Sequence, residues 1–150
     1  IDGKTYTFSV WDTKKIELCE QLHSPGPGHT TDVFMLCFAV DDRSAFQALT
    51  HKWLPQLKTR FPFVPVVLVA CKVDLRSYPS VSTTNHVTYE EGNTVAEQHG
   101  SIYCETSALH AEGVTECFNL SVRYADLNLD KRDKRPPHEN HSHRKNCVIL

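Results

Sequence analysis

Thr5 to Trp11 alternates polar with larger apolar residues, placing Tyr6, Phe8 and Val10 on one side and Thr5, Thr7 and Ser9 on the other. This period of two predicts a strand with one face against a core. Asp2-Gly3-Lys4 before it reads as a turn. Val33 to Val40 and Val64 to Cys71 are instead near-continuous apolar runs, the signature of parallel strands covered by helices on both faces. Between them Phe46, Leu49, Trp53 and Leu57 recur at helical spacing, with Asp42 or Ser44 as N-cap and Pro62 beyond the end. Tyr89 to His99 predicts another helix, stopped at Gly100; Ile102 to Glu105 predicts a short strand; Val114, Cys117, Phe118, Val122 and Ala125 mark a last amphipathic helix. Pro25-Gly26-Pro27-Gly28 interrupts any helix begun near Glu17, so that stretch reads as a loop. Strands alternating with helices predict an α/β fold with a doubly wound, mostly parallel sheet.

From Asn128 the apolar period disappears into charged residues, His and Pro until Val148. The chain therefore divides into a domain over 1–127 and a disordered tail over 128–150. With 150 residues, 40% apolar and 23% charged, the composition is that of one globular domain. A net charge of −2 gives no reason to expect a nucleic-acid partner. The six cysteines (Cys19, Cys37, Cys71, Cys104, Cys117, Cys147) show no CxxC spacing and mostly lie in apolar runs, which predicts reduced thiols without a structural disulfide. No 18-residue apolar stretch and no signal peptide is visible. The chain opens on Ile1, which predicts a processed or incomplete N-terminus.

Ligands of open α/β sheets bind at the carboxyl ends of the strands, and three such ends carry chemistry. Cys71-Lys72-Val73-Asp74-Leu75-Arg76 follows the second apolar run. A carboxylate there can accept two parallel hydrogen bonds from a guanine edge, and a Lys stem can lie along a purine face; a polar strand exit reads the same way. Cys104-Glu105-Thr106-Ser107-Ala108-Leu109 ends the next strand, and its small residues let a backbone N–H approach guanine O6 or simply make a tight turn. Trp11-Asp12-Thr13 ends the first, where an Asp is an outer ligand of nucleotide-bound Mg²⁺ or only a cap.

Taken in order, these ends resemble the guanine-nucleotide-binding domain of small GTPases, with the P-loop NTPase-like fold. The strings Thr31-Asp32-Val33-Phe34-Met35-Leu36-Cys37-Phe38, Lys52-Trp53-Leu54-Pro55, Lys72-Val73-Asp74-Leu75-Arg76 and Thr106-Ser107-Ala108-Leu109 narrow the resemblance to the Rho family of the Ras superfamily. It spans nearly the whole chain apart from 14–30 and 77–87. The resemblance implies that Cys71, Lys72, Asp74 and Leu75 surround the base, that Ser107 and Ala108 close over it, and that Asp12 and Thr13 lie behind the Mg²⁺ water shell. It implies GTP and GDP as ligands, and exchange factors, GTPase-activating proteins, the Rho dissociation inhibitor and effectors as partners.

Four departures qualify it. No G-x-x-x-x-G-K-[ST] phosphate loop occurs in the 150 residues, and Gly3-Lys4-Thr5 precedes an alternating strand rather than a helix. Where the family reads Asp-Thr-Ala-Gly-Gln, this chain reads Asp12-Thr13-Lys14-Lys15-Ile16, which implies very slow hydrolysis because Ile cannot orient water. The family's first strand and first switch loop have no counterpart here, so the sheet is expected to lose its middle strand and leave two apolar edges unpaired. The segment between Arg76 and Val87 is also shorter than the helical insert of Rho proteins.

Cys147-Val148-Ile149-Leu150 matches a C-a-a-X box, whose terminal Leu predicts a geranylgeranyl group on Cys147 from geranylgeranyltransferase. Lys131, Arg132, Lys134, Arg135, Arg144 and Lys145 outnumber nearby acids and form a basic patch for anionic membrane lipids. His138, His141 and His143 fit no structural metal spacing. These features predict a lipid-anchored switch on the cytoplasmic face of the plasma membrane or an endomembrane, with a cytosolic pool, acting on cytoskeleton or polarity. A non-catalytic, prenylated pseudo-GTPase that binds no nucleotide is the alternative; a dinucleotide binder lacks its G-x-G-x-x-G.

Overall fold

Apolar side chains on both faces of a strand bury fully only in the interior of a sheet, and the two apolar runs form its centre. The computed structural model describes residues 1, 3, 5–13, 31–77, 85–132 and 144–149. In chain order its elements are β1 (Thr7–Asp12), β2 (Val33–Ala39), α1 (Arg43–Ala48), a π-helical turn (Leu49–Trp53), α2 (Leu54–Arg60), β3 (Val66–Cys71), a 3₁₀ turn (Val73–Ser77), α3 (Tyr89–Gln98), β4 (Ile102–Glu105), α4 (Val114–Arg132) and β5 (Arg144–Ile149). The sheet order is β1-β5-β2-β3-β4, with every pairing parallel.

Alternate residues of the central strands feed two cores. Phe34, Leu36, Phe38, Val66, Leu68 and Ala70 pack on one face against Phe46, Leu49, Leu54, Leu57 and Ala96 from α1 to α3. Val33, Met35, Val67 and Val69 pack on the other against Cys117 and Ala125 of α4. The helical stretch between β2 and β3 starts where the Asp42 carboxylate accepts from the Ala45 amide and widens at Leu49–Trp53, where the Leu54 N–H reaches back to the Leu49 carbonyl. Pro55 explains the widening: it has no N–H to give and its ring crowds the carbonyl four residues before it. Gly100 (φ +56°) ends α3 in the left-handed region.

Three expectations change. Phe8 and Val10 are 39% and 45% exposed, because β1 is an edge strand rather than half of a buried face; Phe8 stacks on Phe118 with ring centroids 5.9 Å apart, and the Tyr6 hydroxyl bonds Asp126. Helix α4 runs through Lys131 and Arg132, beyond the expected start of the tail. The third change is the largest, since the gap expected between β1 and β2 is filled. The C-terminal segment, read as tail, forms β5 there, giving both inner edges a backbone partner. Lys14, Lys15, Ile16, the loop around Pro25, Lys134 and Arg135 lie outside the described residues. Among the described residues no helix is long and apolar enough to cross a membrane.

Candidate functional site

The carboxyl ends of β3 and β4 lie side by side because Ala70 pairs with Glu105, and the loops that leave them are knitted together. The Thr106 amide donates to the Ala70 carbonyl at 2.8 Å and its hydroxyl to the same oxygen at 3.2 Å. The Val73 amide donates to the Thr106 carbonyl at 3.3 Å. Ser107 is fully buried and is pinned through its backbone to Glu112, giving its amide at 2.9 Å and receiving that of Glu112 at 3.0 Å. Its hydroxyl donates to Asp74 Oδ1 at 2.6 Å and accepts from the His110 amide at 3.3 Å.

Asp74 is thereby aimed from a half-buried position in the 3₁₀ turn. One oxygen is engaged by Ser107, and an ionised carboxylate has about four lone-pair sites, so capacity for further donors remains. Lys72 sits at φ +59°, a left-handed conformation that costs a non-glycine residue of order 1 kcal/mol and gathers at functional positions. Its ammonium lies 3.6 Å from Asp41 at the end of β2, with Lys72 60% exposed, which leaves the stem open to a flat ligand. Ala108 is exposed beside them and Leu75 is half-buried beneath. On the other face the Cys37 thiol donates to the Met35 carbonyl at 4.0 Å; its neighbour Cys71 is held below the usual thiol range chiefly by Cys37, with Thr106 and Lys72 adding to the pull against burial, and Cys37 is pushed up.

The structure thus brings Lys72, Asp74, Leu75, Ser107 and Ala108 into one place. Asp12 stands apart. It pairs with Ile149, which pairs with Met35, whereas Cys71 pairs with Ala39; four residues of parallel strand set Asp12 back by about 13 Å along the sheet. Asp12 is exposed and Thr13 buried. Mg²⁺ keeps several of its six oxygens as water and takes only one or two carboxylates, so Asp12 alone offers a contact through water, and no group of three or more metal-ligating side chains occurs among the described residues. The basic side chains of 129–132 and 144–149 lie outside the described side chains.

Arg76 and Glu105 were given no role by the sequence. Arg76 Nη1 donates to both carboxylate oxygens of Glu105 at 2.8 and 2.9 Å, while Nε and Nη2 donate to the Val87 carbonyl at 3.0 and 2.8 Å. Tyr103 gives Glu105 a further hydrogen bond at 2.7 Å. This clamp holds the exit of β3 to the end of β4, and a pair 29 residues apart carries no local sequence signal.

Comparison with known proteins matches the Ras family model over residues 1–126. The GTP-binding protein rho3 of Schizosaccharomyces pombe is 36% identical, covering 99% of this chain and 73% of the relative. The GTP-binding protein rho1 of the same yeast is 34% identical, covering all of this chain and 76% of the relative. The human Rho-related GTP-binding protein RhoB is 36% identical, covering 88% and 69% respectively.

Proposed function

This chain belongs to the Rho family of small GTP-binding proteins, and from that premise we propose that it is a guanine-nucleotide-dependent signalling switch whose base-recognition half is built by Lys72, Asp74, Leu75, Ser107 and Ala108. The observation that carries the reading is the 2.6 Å hydrogen bond from buried Ser107 to Asp74. It holds a carboxylate at the ends of two adjacent strands, oriented before any ligand arrives. The guanine edge offers that carboxylate N1–H and the exocyclic N–H as parallel donors, and the Ala108 amide is proposed to meet O6.

Hydrolysis is proposed to be impaired, because Lys15 and Ile16 stand where the family has a Gly and a water-orienting Gln. Asp12 is proposed to act on Mg²⁺ only through water. At the membrane, Cys147 carries a geranylgeranyl group and the basic residues 131–145 meet anionic lipid, which places the switch on the cytoplasmic face. Exchange factors, GTPase-activating proteins, the Rho dissociation inhibitor, effectors of cytoskeleton or polarity, and geranylgeranyltransferase are its proposed partners.

GDP titration of the purified chain and of Asp74→Ala tests the base site. Loss of two hydrogen bonds to a charged group, each about 1.5–3 kcal/mol, weakens binding by roughly 100-fold or more. Equal affinity of the two proteins rules out the base-recognition role. Lys15 and Ile16 also suit a second reading, a prenylated pseudo-GTPase without nucleotide; absence of GDP binding by the unaltered chain selects it.

A further inference from the structure

Among the described residues, four cysteines share the face of the sheet that α4 covers. Cys37 of β2, Cys71 of β3 and Cys104 of β4 pack with Cys117 of α4 about Val67 and Val69, and all four thiols are free. Strand register limits which of them can bridge. Cys37 pairs with Val69 and Val69 with Cys104, so Cys37 and Cys104 stand two strands apart, about 9.6 Å. Cys71 lies two residues further along the sheet, about 8 Å from each by strand spacing and rise. Cysteines more than about 7 Å apart at Cα are not bridged without backbone movement. Cys104 and Cys117 differ, since their sulfurs are 2.7 Å apart and share a hydrogen that either can donate. That separation is within about 0.7 Å of a disulfide bond. The contact with Cys104 holds the Cys117 thiol below its ordinary range against burial, and Cys104 is pushed up by the same contact and by burial.

We propose that Cys104 and Cys117 are a redox-active pair that a small hydroperoxide converts to an intramolecular disulfide, fastening the loop over 105–113. The Cys117 thiolate attacks one peroxide oxygen; the S–O bond forms, the O–O bond breaks, and the departing hydroxide takes the proton that Cys117 released and leaves as water. The Cys104 sulfur then attacks the sulfenic sulfur of Cys117; the S–S bond forms, the S–O bond breaks, and hydroxide leaves with the Cys104 proton as a second water. Two thiols and one peroxide thus give one disulfide and two waters, the sulfurs losing the two electrons that the peroxide gains. Cys117 is 2% exposed and Cys104 half-buried on the edge strand β4, which limits the oxidant to a small one. The loop between them already closes on itself. Ser107 and Glu112 exchange amide hydrogen bonds, the Cys117 amide donates to the Gly113 carbonyl at 2.9 Å, and Gly113 lies so near the Glu105 carbonyl that a Cβ would overlap it. A bond from Cys104 to Cys117 adds a covalent latch where the two ends have met. The cross-link requires no bound nucleotide, and it encloses Ser107, the residue that orients Asp74.

The full chain is treated with a few equivalents of hydrogen peroxide and followed by intact mass and peptide mapping, then by urea unfolding and amide exchange, each before and after dithiothreitol. The expected result is loss of two hydrogens, a peptide cross-linked from Cys104 to Cys117, and return to the thiols with dithiothreitol. The oxidised chain is expected to unfold at a urea midpoint higher by roughly 1 M, as a bond closing a loop of this length gives. The Ser107 and Glu112 amides are expected to exchange at least roughly tenfold more slowly in it. An unchanged mass, oxygen added to Cys104 or Cys117 in place of a cross-link, or a cross-link mapped to any other pair overturns the redox pair. A bond from Cys104 to Cys117 that leaves the urea midpoint and the exchange of both amides as they were overturns the fastening. Each outcome is read on the unaltered chain and holds whether or not that chain binds GDP, so it stands or falls separately from the base site.

Discussion

Ser107 shows how one side chain can serve both folding and recognition. It is buried, it donates to Asp74 and it accepts from the His110 amide. Ser107→Ala leaves a half-buried carboxylate short of a donor and an amide short of an acceptor, a loss of about 1–3 kcal/mol to be read from urea unfolding. GDP binding is expected to weaken as well, though less than in Asp74→Ala, because the Ser107 hydroxyl acts on the base edge through the carboxylate it positions. Unchanged GDP affinity in a folded Ser107→Ala protein would remove Ser107 from the site. These residues were legible in the sequence because each follows an apolar strand run at a place where sheets bind ligands. The Arg76–Glu105 clamp was not, since only the folded juxtaposition of β3 and β4 makes the pair.

At the scale of elements, the helix α3 has its start written locally. The Thr88 hydroxyl accepts from the Glu91 amide at 3.2 Å, and the Glu91 carboxylate accepts from the Thr88 amide at 2.8 Å, a capping box. Arg43 also grips Glu91, at 2.8 and 3.0 Å. The Arg43 guanidinium first, and the Thr88 amide second, hold the Glu91 carboxyl below its ordinary value. A carboxyl depressed in the folded state contributes stability that is complete above its unfolded pKa, about 4.3, and is lost as pH falls through the lower folded value. Glu91→Gln is therefore expected to lower stability at neutral pH modestly, given the solvent screening of a 40% exposed side chain, and to flatten the acid limb of the stability curve below about pH 4.3. Parallel limbs in thermal melts from pH 3 to 7 would contradict this. Gly113, before α4, is a different case. It sits at φ +69°, and a Cβ there would lie 2.1 Å from the Glu105 carbonyl oxygen. Gly113→Ala is expected to cost about 3 kcal/mol or more in urea unfolding, combining left-handed strain with backbone overlap. Helix periods and the two apolar runs foretold these elements. The outward exposure of β1 escaped the sequence because alternation looks the same on an edge strand with little cover as on one packed against a core.

At the scale of the whole molecule, the strand order depends on a pairing between segments more than a hundred residues apart, and nothing in Arg144-Lys145-Asn146-Cys147-Val148-Ile149 foretells it. Polar residues before a short apolar ending read as a tail unless a vacant slot of matching length exists elsewhere in the sheet. Here β5 is the backbone link between β1 and the rest of the sheet; side-chain links to α4 include the Phe8–Phe118 stack and the Tyr6–Asp126 hydrogen bond. Deleting residues 144–150 strips one edge of β2, whose Val33, Phe34, Met35 and Leu36 are all buried, and leaves β1 beside an open slot. Unpaired apolar edges recruit other chains. The truncated protein is expected to elute as concentration-dependent oligomers in light-scattering chromatography at about 10–100 μM, the range where exposed edges associate, and to lose amide protection in β1 before β3. A truncated chain that stays monomeric with β1 still protected would mean that the helix α4 alone holds β1 in place, and that the C-terminal strand contributes nothing to closing the sheet.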